Sequence, residues 1–246
     1  ATLTRDGILL RRYREGEARY PGTLEDYAFF SYGLLELYEA GFEPRYLAEA
    51  KTLASQMLER FWDESTGGFF LRSREEPALI VRAKEAHDGA TPSGNSVAAL
   101  VFLRLGRLTG DAQMETYGRR ALETFAATVD RAPFGSPQLL IAWDFALGPT
   151  QEIVIAADPS ARETAALVRT VRERFLPRAV TVLHPPRTAG DAIEALVPFV
   201  KAQGLIKGQP AVYVCENFVC RLPVTTVGAL QDLLDGARPL IHDPTT

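Results

Sequence analysis

The 246-residue sequence predicts a mainly α protein, with helical hairpins over residues 1–149 followed by a small parallel α/β layer over residues 150–246. Three observations carry this reading. Segments 23–40 and 91–110 are apolar around nearly their whole circumference, and each leads into a segment that is apolar on one side only. The pattern repeats, with Thr23 and Thr91 lying 68 positions apart (91 − 23). Beyond Pro149, short β-branched runs alternate with helical stretches, the grammar of a small α/β layer.

The chain opens on "GILLRRYREGEARYPG", which reads as an extended excursion ahead of the first helix. In "TLEDYAFFSYGLLELYEA" the apolar residues Tyr27, Phe29, Phe30, Leu34, Leu35 and Leu37 leave no polar face, so this helix is expected to pack on several sides. Gly41 is the expected terminator. The next helix buries Leu47, Ala50, Leu53, Ala54, Met57, Leu58 and Phe61 at spacings of three and four, while Glu49, Lys51, Gln56 and Arg60 face away. An insertion follows, in which Gly67-Gly68 makes a turn and "FFLR" and "LIVR" read as two short strands. The second hairpin repeats the first: Val97, Leu100, Val101, Phe102, Leu103 and Leu105 on an all-round helix, then Met114, Tyr117, Ala121, Leu122, Phe125 and Val129 on a one-sided one. Thr91 is the expected N-cap of that inner helix, with Pro92 in its first turn. A further helix is expected at 136–147.

In the second part, "EIVIAAD", "AVTVLH" and "QPAVYVCENFVC" read as strands. They alternate with helices at "SARETAALVRTVRERF", where Ser160 is the expected cap, at "DAIEALVPFV" and at "TTVGALQDLL". The Pro-containing end "ARPLIHDPTT" is expected to fray.

A net charge of −4 argues against nucleic acid or an anionic membrane as partner. No apolar run approaches the roughly 20 residues that span a bilayer. Two cysteines imply no disulfide framework, and a reducing cytoplasm is the simplest setting. Cys215 and Cys220, at C-x₄-C spacing, read as a redox pair, half of a metal site, or buried unreactive thiols. The spacing is not that of the tight C-x-x-C redox motif, and zinc would need two more ligands nearby, so no metal and no cofactor are expected. A disulfide requires the turn to bring the Cα atoms within about 4.4–6.8 Å.

"KEAHDGATPSGNS" raises the question of chemistry. Ser93, Gly94 and Asn95 put small polar residues on the first turn of an inner helix, where free backbone N–H groups cap the helix or bind a ligand oxygen. "GTLEDYA" poses the same choice: Thr23 and Asp26 fit a capping box, and Glu25 suits the positive helix end. If inner-helix starts share one rim, Glu25, Asp26, Tyr27, His87, Asp88, Ser93 and Asn95 line one funnel. Carboxylates with aromatic rings suit a carbohydrate. Glu25, Asp26 and Asp88, with Glu85, are the candidate catalytic acids, since glycoside hydrolysis needs two carboxyls roughly 5–9.5 Å apart. Tyr27, His87, Ser93 and Asn95 are the candidate substrate contacts.

These segments, together with "FWDESTGGFF", "SPQLLIAWDFALG" and "YVCENFVCRLPVTT", resemble the C-terminal part of the thioredoxin-domain-containing family related to spermatogenesis-associated protein 20. The resemblance runs through nearly the whole chain. It implies a partial (α/α) toroid similar to N-acylglucosamine 2-epimerases and six-hairpin glycosidases, closed by a small α/β part. It further implies that a thioredoxin-like domain and the rest of the toroid are partners of this portion, in the same or a separate chain. The matching positions Asp88, Gly89, Ser93, Gly94 and Asn95, and both cysteines, are implied to share the family's roles, without a reaction being attached. The similar epimerases use two histidines. The helical part here has His87 alone, since His184 and His242 fall in the second part. The alternative function is a non-enzymatic scaffold, or a thiol-linked partner of the thioredoxin-like domain.

Overall fold

The computed structural model describes residues 3–76 and 81–236. The chain forms two compact units, residues 1–150 and 151–246, with a cis peptide bond at Gly148–Pro149. The first unit begins with an antiparallel meander of β1 (Thr4–Arg5), β2 (Ile8–Arg14) and β3 (Glu17–Pro21). Glu15 and Gly16, both with positive φ, make the two-residue turn between β2 and β3, the left-handed geometry that suits the twist of a hairpin.

Five helices follow: α1 (Leu24–Gly41), α2 (Pro44–Phe61), α3 (Gly94–Thr109), α4 (Ala112–Arg131) and α5 (Pro137–Leu147). Two ends differ from expectation. The left-handed residue closing α1 is Phe42, at φ 56°, and Gly41 is the last helical residue. The Phe42 ring packs edge-on against Tyr38, a hydrophobic contact that offsets the cost of that backbone conformation. The N-cap of α3 is Ser93, whose hydroxyl accepts from the Ser96 N–H, so the helix starts two residues after the expected Thr91 cap.

α3 is the centre of this unit. It packs against α1, α4 and α5, α1 packs against α2, and all 16 residues of α3 are buried. Two glycines permit the approach of α4. A Cβ at Gly106 would lie 2.9 Å from the Glu115 backbone nitrogen, and one at Gly118 would lie 2.8 Å from Leu103 Cγ. The expectation of an all-round buried helix holds for α3 and fails for α1. Leu24, Tyr27, Ala28, Leu35 and Tyr38 are buried, but Phe29, Phe30 and Leu37 are 38%, 47% and 49% exposed. α1 has α2 and α3 as neighbours within the unit, which cover two sides and leave the third in water.

The insertion between the hairpins forms no pair of regular strands among the described residues. Phe69 makes an isolated bridge to Trp62, and Leu71 N–H donates to the Ala83 carbonyl. The expected strand at "LIVR" includes Leu79 and Ile80, which lie outside the described residues. The insertion is anchored through its aromatic end: the ring of Trp62 meets Phe69 and Tyr117 edge-on at 4.9 and 5.0 Å, and Phe69 stacks on Phe102 of α3.

In the second unit, β4 (Gln151–Ala156), α6 (Arg162–Arg172), β5 (Ala179–His184), α7 (Asp191–Leu196), β6 (Ala211–Glu216), β7 (Val219–Cys220) and α8 (Val227–Asp235) follow the expected alternation. The sheet order is β5-β4-β6-β7. β4 and β5 are parallel, but β6 runs antiparallel to β4, so the sheet is mixed and the expected parallel layer is corrected. The third expected strand, "QPAVYVCENFVC", is folded into a hairpin of β6 and β7, which makes four strands where alternation gave three. Direction depends on where the chain re-enters the sheet, and β6 returns beside β4 in the opposite sense. Ser160 is bonded to Asp158, and the N-cap of α6 is Ala161. The segment 237–246, with His242, lies outside the described residues. Among the described residues no helix is long and apolar enough to cross a membrane.

Candidate functional site

The starts of α1, α3 and α5 are brought together by side chains. At α1, the Thr23 N–H and hydroxyl both donate to Asp26 Oδ2, at 2.7 and 2.9 Å, with Arg11 Nε 4.0 Å from the same oxygen. Asp26 is therefore engaged in capping. A Cβ at Gly94 would lie 3.0 Å from Leu24 and 3.2 Å from Glu25 Cγ, so glycine is what lets the first turn of α3 meet the first turn of α1. Glu25 itself is exposed. Tyr27 is fully buried, its hydroxyl accepting from the Leu9 N–H at 3.0 Å and its ring edge-on to Phe61.

Asp88 joins the other two starts. Its Oδ1 accepts the Ser93 N–H and its Oδ2 the Gln138 N–H, each at 2.8 Å. One carboxylate thus sits at the positive ends of α3 and α5. Asn95 is fully buried. Its Oδ1 accepts from Phe69 N–H at 2.8 Å, and its Nδ2 donates to the carbonyls of Phe69 and Glu85, each at 2.9 Å. The amide acts as a strand-like partner for the insertion. Ser93, 5% exposed, is committed to capping. His87 is exposed, beside Gly135. The expected substrate contacts Tyr27, Ser93 and Asn95 therefore point into the protein, because burial of these starts leaves backbone groups that only nearby side chains can satisfy. Of the candidate residues, Glu25, Glu85 and His87 are exposed.

Sequence reading missed a charged cluster between α1 and α3. Arg104 is 9% exposed and pairs with both Glu36 and Glu39, its guanidinium over the Tyr32 ring. Burial opposes the arginine's charge, but the carboxylates of Glu39 and Glu36 outweigh it and hold the group charged. Burial and Glu36 push the Tyr32 phenol up, with Arg104 partly opposing. The signal was present: an arginine amid "VAALVFLRLG" requires a carboxylate partner. A second missed pair is Lys84 with Asp63, at 2.7 Å, which ties the insertion to the end of α2.

In the second unit, Cys215 and Cys220 form a disulfide rather than free thiols. They are register partners on β6 and β7, with Cα atoms 3.8 Å apart, inside the usual lower limit of about 4.4 Å. Asn217 and Phe218, with φ of 52° and 63°, form the two-residue left-handed turn between them. Phe218 N–H donates to the carboxylate of buried Glu152 at 2.8 Å. Gln203 Nε2 donates toward both sulfurs, at 3.5 Å from Cys215 and 3.2 Å from Cys220. His184 bonds the Gln203 carbonyl through Nδ1 and Glu194 through Nε2. Among the described residues, no group of three or more His, Cys, Asp and Glu is placed to hold a metal ion.

Fold and site together define a helical-hairpin unit, tied at its helix starts by side-chain caps, and a small mixed α/β unit carrying a disulfide hairpin. This chain is related to the C-terminal region of spermatogenesis-associated protein 20. It is 36% identical over 217 residues to the Homo sapiens protein of that name, covering 87% of this chain and 27% of that protein. The Mus musculus protein is 35% identical over the same shares. An uncharacterized Caenorhabditis elegans protein, B0495.5, is 29% identical over 218 residues, 86% of this chain and 28% of that one. The chain thus spans about a quarter of the length of the curated relatives it matches. No protein-family model matches it.

Proposed function

We propose that this chain is an assembly module: the closing arc of an (α/α) toroid, whose missing hairpins are supplied by the helical region that precedes the matched stretch in its longer relatives. The observation that carries this is the contrast along one layer. The central helix α3 is buried on every side, while two of the three helices packed on it carry apolar stripes in water: Phe29, Phe30 and Leu37 on α1, and Leu140, Ile141 and Leu147 on α5. Leaving such surface exposed costs about 25 cal/mol per Å². A ring closing on its own preceding hairpins covers both stripes at once. The length of the relatives supports this occupant, since roughly three quarters of each lies outside the match.

The test is co-expression of this chain with the preceding region of a spermatogenesis-associated protein 20-type protein from the same source. Co-purification is expected, and it is expected to be lost in the double variant Phe30→Asp, Leu37→Glu. Failure of the wild-type chain to be captured, or its pairing with a second copy of itself instead, overturns the proposal.

A second reading is favoured by the convergence of the helix starts. Within that ring, exposed Glu25 and His87 border a funnel that takes a carbohydrate, and the buried Tyr27 and Asn95 with the half-buried Asp26 and Asp88 hold the rim. Thermal stabilisation of the assembled protein by a sugar is expected to disappear in Glu25→Gln. If no member of a monosaccharide panel shifts the melting temperature, this reading is wrong and the assembly reading is untouched.

A further inference from the structure

The hairpin of the second unit contains an asymmetric sulfur pair with a polar group built beneath it. Cys215 is 1% exposed, whereas Cys220 is an exposed residue on the short edge strand β7. Gln203, 7% exposed, reaches both sulfurs through Nε2. Its position is fixed from the other side, since its own backbone carbonyl is bonded by His184, which Glu194 holds in turn. The remaining atom of that amide, Gln203 Oε1, is buried with no hydrogen-bond partner among the described residues. A buried acceptor without a donor is unfavourable, and disulfide sulfurs have no hydrogen to give. A thiol does. The dithiol form therefore supplies Gln203 with what the disulfide form lacks: an S–H for Oε1, while Nε2 continues to donate to the other sulfur.

We propose that Cys215–Cys220 is a thiol–disulfide exchange site, reduced by an external dithiol, with Cys220 as the sulfur attacked and Gln203 as the group that receives the reduced pair. A thiolate of the dithiol attacks Cys220 Sγ, and the bond to Cys215 breaks. The electron pair goes to Cys215 Sγ, facing the Gln203 amide N–H, and that sulfur takes a proton from solvent. The second thiolate of the reductant then attacks the reductant's own sulfur in the mixed disulfide. This releases Cys220, which is protonated in its turn. The reductant leaves as a disulfide, two electrons poorer, and the hairpin holds two thiols. The polarity follows from burial alone: the exposed sulfur is open to attack, and the buried one, 3.5 Å from the Gln203 N–H, leaves within reach of a donor that stabilises negative charge.

The test uses the whole chain under native conditions, with dithiothreitol and glutathione as probes. Dithiothreitol is expected to reduce the bond while near-ultraviolet circular dichroism stays native. In Cys215→Ser, oxidised glutathione is expected to form a mixed disulfide on Cys220. Should that variant not fold, acid quenching and alkylation of the wild-type chain early in its reaction with reduced glutathione reads the same preference by mass spectrometry. Gln203→Leu is expected to slow reduction about tenfold by removing the donor, and Gln203→Glu to slow it further by placing a carboxylate against the departing thiolate. A merely structural glutamine would lower the melting temperature in both variants without separating their rates. Reduction only in denaturant, glutathione on Cys215, or equal rates in the wild type and both variants overturns the proposal.

Discussion

Asn95 shows what a single side chain does here. Its amide meets the N–H and C=O of Phe69 and the C=O of Glu85, three backbone groups of an insertion whose described residues form no sheet to satisfy them. Asn95→Ala leaves these groups without partners in a buried place, and a loss of about 2–4 kcal/mol is expected in urea unfolding. Lys84 and Asp63 hold the same insertion by charge. The Lys84 ammonium, helped by Ser65 and Thr66, holds the Asp63 carboxyl well below its ordinary value of 3.8. Because the folded-state value is depressed, the unfolded chain binds the proton first on acidification. The pair's contribution is complete above about pH 4 and is lost as pH falls below that value. Lys84→Met is therefore expected to flatten the acid limb of the stability–pH curve below pH 4, and an unchanged limb would show that the pair contributes nothing.

At the scale of elements, the α3–α4 contact is set by absent side chains. A Cβ at Gly118 would lie 3.0 Å from the Leu103 nitrogen and 3.1 Å from the Ala99 carbonyl, both backbone atoms that cannot rotate away. Alanine is the better helix former by about 1 kcal/mol, yet overpacking costs about 1–3 kcal/mol, so Gly118→Ala is expected to lower the melting temperature. Gly33 on α1 is the control. A Cβ there meets nothing within 4 Å, and Gly33→Ala is expected to raise the melting temperature of the same unit. If both changes move it the same way, close packing does not govern this contact.

At the scale of the whole molecule, the stripes on α1 and α5 stay partly in water among the described residues. Phe30→Asp with Leu37→Glu is expected to change unfolding free energy by no more than about 0.5 kcal/mol while lowering the binding of a hydrophobic dye. A large destabilisation would mean that the α1 face is packed within this chain. Under the assembly proposal, the preceding hairpins decide whether the face is covered, and no residue of this chain encodes that alone.

The sequence by itself determined the helical hairpins, their 68-residue repeat, the alternating strands of the second part and the kinship to the C-terminal region of spermatogenesis-associated protein 20. Those are local matters of periodicity, capping residues and turn residues, and in the case of kinship of residue identity in order. Tertiary structure decided the rest. Apolar residues at every position cannot say which face finds a partner, so α1 and α3 read alike though one is half in water. Polar residues at a helix start read as ligands or as caps until the neighbouring backbone is placed, and here Asp88 and Asn95 turned inward because Gln138 and Phe69, 50 and 26 residues away, had N–H groups that needed them. A strand's direction and the pairing of two cysteines likewise depend on where the chain returns, and that is set by the path between the elements rather than by the elements themselves.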